Sequence, residues 1–383
     1  MPKALNLQET RRQYELLGAK KTVAMIGQLL ESKQIKPDDL SVKDLFEAFC
    51  GAEALRALSD RKSGYWTLQE ATNAVDTATF SAIAGQLLIT KTKDEYLAAA
   101  DLSDQLVTTM TTNLLDGEKI PGIAGIGDEA EIVEEGYDYP LVGIGPEYVE
   151  APPTKKRGFI VPLTREVIIQ DRTGLLLKRA SDGGRWLGVN KMKRILDVAV
   201  GAVNNYKRNG TATNTYLGAG AYINSQANTL VDWTDVENAE LLFDAMLDPN
   251  TGEPIGVSTG GYVMIVPTAL KWTANRIVNA TEIRYGDGAS NTSAAYGPNP
   301  LRAGSSITVI SSPYVKARTA SSSTWFYGRP KDSFVYSEVW GIETSQAPAL
   351  NDKQFRADIE QQYKVSERGV AWTQEPRYMT KNT

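Results

Sequence analysis

Apolar positions near the start of the chain recur at helical spacing. Leu16, Val23, Ile26, Leu29 and Leu30 predict one helix, which Lys36-Pro37-Asp38-Asp39 interrupts. Ser41, with Asp44 three residues on, predicts a second, capped helix. Residues 80–89 predict a third, which carries on through Tyr96 and Leu97 toward Leu106. From Asn113 the pattern lapses. Glycines and prolines between Gly117 and Pro153 punctuate a stretch with two short β-like pieces, 130–135 and 147–151. Carboxylates dominate it, among them Asp128, Glu131, Glu134, Glu135, Asp138 and Glu147, and the basic run Lys155-Lys156-Arg157 closes it. A connection this long is uncommon in a compact domain and usually acts outside it. A two-stranded arm is marginal in water by itself. The expectation is an arm stabilised by a neighbouring copy of the same chain.

Periodicity returns at residues 159–163, which predict a strand, and Thr164 starts a helical region that Gly183-Gly184 interrupts. Met192, Ile195, Leu196, Ala199, Val203 and Tyr206 form one apolar stripe, and Asn209-Gly210 ends that helix. Residues 261–266 read as a buried strand stopped by Pro267. Thr268 then caps a helix through Leu270, Trp272, Ala274, Ile277 and Val278. Residues 286–300 read as a surface loop, and strands follow at 306–310, 324–327 and 334–340. The last strand alternates Phe355, Ala357, Ile359, Tyr363 and Val365 with Arg356, Asp358, Glu360, Gln362 and Lys364, Gln361 being the exception. Such alternation predicts one covered and one solvated face.

Composition narrows the chemistry. With 383 residues, 42% of them hydrophobic and 23% charged, the chain is an ordinary globular protein of two or three units. Met1-Pro-Lys-Ala leads into polar helical sequence rather than a signal peptide, and no apolar run approaches the ~18 residues of a membrane span. A net charge of −5 argues against a surface that binds nucleic acid throughout. Histidine is absent, which removes the commonest general base and metal ligand and every Ser-His-Asp or Cys-His arrangement. Cys50, the only cysteine, sits in an apolar helical context and reads as a buried small hydrophobe; no internal disulfide exists, and folding in a reducing cytosol is expected.

Gly122, Gly125 and Gly127 have the wrong spacing for a phosphate loop. The acidic run 128–138 lacks the ligand pattern of a calcium loop. Asn-X-Ser/Thr triplets at Asn209, Asn279 and Asn291 need secretion to matter. No catalytic, cofactor or metal residue is therefore assigned.

The order of elements is similar to that of a known family. Residues 80–96, 158–171 (with "FIVPLTREVIIQD"), 188–200, 262–277 ("YVMIVPTALKWTANRI"), 325–341 ("WFYGRPKDSFVYSEVWG") and 355–372 ("FRADIEQQYKVSERGVAW") resemble the major capsid protein of tailed bacteriophages. That is the Hong Kong ninety-seven phage fold, shared with encapsulin shells, and the likeness covers roughly residues 75–383. It implies an α+β fold with a helical N-terminal segment at 1–72, an N-arm at 73–112 and an extended β loop at 113–158. A peripheral domain with a long spine helix follows at 159–209 and 346–383, and an axial domain with returning peripheral strands at 210–345. Residues 1–72 resemble either a scaffolding segment removed by a protease or a retained arm, and the family's loop crosslink would involve Lys155 or Lys156 and Asn351.

The function so implied is structural, not enzymatic. Pentamers and hexamers of the chain itself would form an icosahedral shell around double-stranded DNA, which it would contact non-specifically. The shell would assemble in the host bacterial cytoplasm and become part of the virion, without membrane or cofactor; scaffolding, portal and decoration proteins are further expected partners. Glu131, Glu134, Glu135, Tyr137, Tyr148, Lys155, Lys156 and Arg157 are the candidate subunit-interface residues. Two alternatives stand beside this one: an encapsulin-like nanocompartment holding a cargo enzyme, and a hydrolytic enzyme using carboxylates, which the missing histidine disfavours.

Overall fold

Apolar side chains that recur every three or four residues build the first helices, α1 (Ala19–Glu31) and α2 (Ala74–Ala100). In chain order there follow β1 (Thr108–Thr111), β2 (Lys119–Pro121), β3 (Tyr148–Glu150), β4 (Lys155–Thr164), α3 (Leu175–Ala199), β5 (Tyr206–Arg208), β6 (Thr211–Thr213) and β7 (Ser225–Gln226). Next come α4 (Trp233–Asp244), β8 (Val263–Val266), α5 (Lys271–Asn279), β9 (Glu282–Tyr285), β10 (Ala295–Pro298), β11 (Thr308–Ser311) and α6 (Pro313–Thr319). Strands β12 (Trp325–Gly328), β13 (Phe334–Gln346), β14 (Ile359–Thr373) and β15 (Met379–Asn382) complete the chain. This computed structural model describes residues 12, 14, 16–35, 46–47, 49–50, 74–100, 102–122, 132–133, 135, 147–164, 175–220, 222–248, 252–255, 261–285, 295–299, 301–302, 307–347 and 359–383. The predicted cap at Ser41, the β-like piece at 130–135 apart from three residues, and positions 355–358 of the last strand fall outside these residues.

The chain divides into two compact units. The first comprises Met1–Asp101, Lys156–Lys191 and Trp340–Arg368. Its core joins Ile26 and Leu30 of α1 to Ile83, Leu87 and Leu88 of α2, Val161 of β4, Leu177 and Ala180 of α3, and Tyr363 of β14. Leu16, expected on the buried stripe, is 74% exposed, and Cys50 is half-buried against this core. On β14, Tyr363 and Val365 are buried and Lys364 is exposed, as alternation predicts. The alternation ends at Ser366 and Glu367, which are buried too, and Glu367 accepts the Tyr96 hydroxyl at 2.6 Å.

The glycines of α3 act differently from the sequence expectation. Gly183-Gly184 does not break the helix, which runs unbroken from Leu175 to Ala199. A Cβ on Gly184 would stand 2.3 Å from the carbonyl oxygen of Thr92, and one on Gly188 would stand 2.6 Å from that of Tyr96. The two glycines, four residues apart, thus form the strip along which α3 approaches the backbone of α2. Gly183 likewise leaves room for the ring of Phe159 on β4. Thr164 is the last residue of β4 rather than a helix start. The helix stops at Ala199 because Gly201, at φ +71, takes the left-handed conformation that closes helices; Val203 is exposed, and Tyr206 belongs to a strand.

The second unit comprises Leu102–Lys155, Met192–Val339 and Gly369–Thr383. Its centre is a five-stranded mixed sheet in the order β11-β8-β12-β15-β7. Strand β8 runs parallel to β11 and antiparallel to β12, and β15 runs antiparallel to β12 and parallel to β7. Phe243 of α4 stacks on Tyr262, which stacks on Tyr327 of β12, and the Tyr327 hydroxyl donates to Glu240 of α4 at 2.5 Å. The buried indoles of Trp325 and Trp372 donate to the Asn228 carbonyl and the Ser337 hydroxyl, so neither ring leaves its N–H unsatisfied.

Helix α5 buries Ala274, Ile277 and Val278, whereas Trp272 is 77% exposed. Neither Thr268 nor any other side chain caps it. Within the stretch expected to be loop, residues 295–298 form β10, paired with β9.

The close approach of α2 and α3 fixes the sign of a mutation. An exposed helix-interior Gly→Ala change ordinarily stabilises by up to about 1 kcal/mol. Gly184→Ala is expected to destabilise the subunit by about 1–3 kcal/mol instead, because backbone must move. Gly27→Ala in α1, whose nearest neighbours are the flexible end of Gln86, is expected to be neutral or stabilising. Urea unfolding of dissociated subunits ranks the two, and the opposite order would contradict the packing described.

Candidate functional site: the root of the arm

Hydrogen bonds between outgoing and returning backbones hold the long segment that follows β2. The amide of Thr154 donates to the carbonyl of Leu115 at 3.1 Å, that of Ala151 to Glu118 at 2.8 Å, and that of Gly122 to Glu147 at 3.3 Å. Between these ties, Lys119, Ile120 and Pro121 of β2 pair antiparallel with Glu150, Val149 and Tyr148 of β3. Pro121 is tolerated because β2 is the edge of the four-stranded sheet β2-β3-β5-β6. Gly117, at φ +99, is required, since a Cβ there would lie 2.4 Å from the carbonyl oxygen of Ala151. Val149 is 1% exposed and anchors the return leg in the core of the second unit.

Strands β5 and β6 form a hairpin over Asn209-Gly210, with φ of +47 and +81. Two consecutive left-handed residues are what a two-residue hairpin requires, and Asn-Gly satisfies it at little cost. This pair therefore turns a hairpin and ends no helix. Asn209 also brackets Tyr148: its amide donates to the Tyr148 carbonyl and its Oδ1 accepts from the Tyr148 amide, each at 2.9 Å. The Lys119 ammonium sits 4.2 Å from the centroid of the Tyr148 ring.

Charges cross the strands here as well. Glu150 pairs with Lys207, and Glu147 pairs with Arg208. Nearby, Tyr206 is buried, and burial, aided by the Glu375 carboxylate, pushes its phenol well above the ordinary value, so it stays neutral. Burial also raises Glu375, against the opposing pull of Arg377 at 2.9 Å.

The candidate interface residues fall in different places. Tyr148 lies in β3, between Asn209 and Lys119. Lys155 and Lys156 are exposed and Arg157 is half-buried, all three opening β4, which belongs to a different sheet from β3. Glu135 is exposed, while Glu131, Glu134 and Tyr137 lie outside the described residues. The residues that tie the root and were not among the interface candidates are Glu147, Glu150, Lys207, Arg208 and Asn209. Their signal was present in Lys-Arg-Asn-Gly, a hairpin turn flanked by short alternating runs, but a helical stripe ending at Tyr206 masked it.

Chemically, the root can hold and aim a chain segment. Among the described residues no cluster of acidic or cysteine side chains could bind a metal ion, and no helix is long and apolar enough to cross a membrane. Asn209→Ala removes the acceptor for the Tyr148 amide and puts a Cβ-bearing residue without a polar side chain at positive φ. A loss of about 1–2 kcal/mol is expected. Asn209→Gly, which keeps the backbone freedom, should lose less. Thermal unfolding of the two variants checks this, and equal losses would contradict it.

A family model described as phage capsid protein matches residues 147–382, from the start of β3 to β15. A search of curated proteins finds no match. Among solved structures, the chain is similar to the capsid asymmetric unit of cyanophage Pam1 (TM-score 0.43, 12% identity, 72% of this chain and 87% of that one). It is also similar to the capsid of cyanophage P-SCSP1u (TM-score 0.43, 13% identity, 73% and 86%) and to a virus-like particle from Pyrococcus furiosus (TM-score 0.39, 12% identity, 77% and 99%). The family match spans well over half of the chain: this protein belongs to the phage capsid protein family and is a major capsid protein, a structural subunit of the virion shell rather than an enzyme.

Proposed function

We propose that segment 123–146 is an arm that clasps a neighbouring subunit, and that copies so linked close into pentamers and hexamers of an icosahedral shell around double-stranded DNA. The observation that carries this reading is the root: the segment begins and ends at one hydrogen-bonded pair, Gly122 and Glu147. A chain of that length folded back on itself can reach about 40 Å at the rise of an extended strand. Pinned ends make such an excursion a directed handle, and many modest contacts linked through one chain bind far more tightly than each alone.

Within this proposal Glu131, Glu134, Glu135 and Tyr137 meet the neighbour, and so do Tyr148 in the root and Lys155, Lys156 and Arg157 at the start of β4. Charge pairing there sets register more than affinity. Residues 73–112 serve as an N-arm, 159–209 and 346–383 as the peripheral domain, and 210–345 as the axial domain. DNA is touched non-specifically, and portal, scaffolding and decoration proteins join during assembly in the host cytoplasm.

Replacing 123–146 by Asn-Gly would close the β2–β3 pair as a simple hairpin and leave the root intact. The expected product is a folded, soluble subunit that forms no shells by negative-stain electron microscopy. Normal shells from that variant would overturn the proposal. Intact wild-type particles that hold a protein cargo and no nuclease-protected DNA would favour a nanocompartment instead.

A further inference from the structure

Charge is segregated along the second half of the chain. Residues 209–270 carry seven carboxylates and no lysine or arginine, whereas residues 271–331 carry eight lysines and arginines against two carboxylates. In the second unit these charges fall on separate helices, an acidic edge along α4 and a basic edge along α5. Helix α4 packs on β15, its Asn238 carbonyl accepts from Gln226 of edge strand β7, and its Phe243 stacks on Tyr262, the residue before β8. Helix α5 packs on β11 and β8, and its Ala274, Ile277 and Val278 join the same core as Phe243 of α4.

Each edge presents a large apolar side chain among exposed charges. On α4, Glu237, Leu241 and Asp244 are spaced so that they share one outward stripe, with Leu241 57% exposed. On α5 Trp272 is 77% exposed, flanked by Lys271 and one turn from Arg276. Lys271 sits 5.4 Å from the Trp272 ring centroid.

We propose that these edges are the two halves of a single contact, in which the α4 stripe of one copy docks on the exposed side of α5 of the next. The partner is a second copy of this chain, and the inference rests on the shell-subunit reading above. Charge complementarity selects the arrangement. Contact of either helix with its own copy would set Glu237 and Asp244 against themselves, or Lys271 and Arg276 against themselves. Head-to-tail docking sets each acidic edge against a basic one and propagates into a closed ring. Trp272 supplies the anchor, as exposed aromatic side chains at the centre of contacts commonly do, and the surrounding charges steer and discriminate.

Full-length variants test the contact directly. Glu237→Lys with Asp244→Lys makes both edges basic, and Lys271→Glu with Arg276→Glu makes both acidic. Each is expected to keep its circular dichroism and unfolding midpoint yet form no particles. All four changes in one chain should restore assembly. Mixing the two double variants should allow only alternating rings, so even-membered rings form but fivefold vertices and closed shells do not. Trp272→Ala should raise the protein concentration needed for assembly at least ~10-fold.

Assembly of both double variants at the wild-type concentration would overturn the proposal. So would a folded fourfold variant that stays monomeric. Particles of Lys271→Glu/Arg276→Glu that assemble normally but lose protected DNA would assign the basic edge to nucleic acid instead. A wild-type chain that forms no particle under any condition would overturn the shell reading itself, and this contact with it.

Discussion

The backbone pairing on either side of segment 123–146, from Leu115 against Thr154 to Gly122 against Glu147, is the constraint on which the proposed arm depends. The entropic cost of closing a loop rises only slowly with its length, so a long excursion is tolerated once its ends are fixed. The fixing is local and redundant. Val149 supplies apolar burial, Asn209 supplies two hydrogen bonds, and Glu147 and Glu150 supply ion pairs to β5. The ion pairs are partly solvated and add little stability by themselves. Their value is in register, because a one-residue slip of β3 would turn Val149 outward and break the bracket around Tyr148.

Rigidity elsewhere comes from close backbone approach. Gly184 and Gly188 let α3 pack against the carbonyls of Thr92 and Tyr96 on α2, and Gly183 admits Phe159 of β4. The first unit can thus seat a helix, a long helix and a strand within van der Waals contact. The second unit relies on aromatic stacking through Phe243, Tyr262 and Tyr327 and on indoles with satisfied N–H groups. Both devices suit a subunit that must present surfaces in fixed positions to its neighbours, since an interface pre-organised in the free subunit loses less entropy on assembly.

Much of this was legible in the amino-acid sequence, and the exceptions have physical causes. Strong periodicity located α2, the later part of α3, β8, β12, β13 and β14. Glycine was the main source of error: Gly183-Gly184 resembles a helix breaker, and only the neighbouring α2 backbone shows why those positions must lack a Cβ. Gly201, not Asn209-Gly210, stops the helix, and the stripe that seemed to run on to Tyr206 is a coincidence of spacing across a helix, a turn and a strand. Trp272 stands two residues from Ala274 and five from Ile277, off the helical spacing that those two share with Val278, and it lies off their buried face. Of the interface candidates, Tyr148 lies in the root, and the acidic residues that form ion pairs there, Glu147 and Glu150, were visible only as part of an acidic run. Their partners Lys207 and Arg208 are distant in sequence and become neighbours through the β3–β5 pairing.

The central claim is that the arm is rooted in its own subunit and engaged by another. Hydrogen exchange followed by mass spectrometry, on free subunits and on assembled particles, tests it most directly. The account predicts that amides of β2 and β3 are protected in both states, while those of 123–146 slow by at least ~10-fold on assembly. Equal exchange of 123–146 in subunit and particle would contradict it.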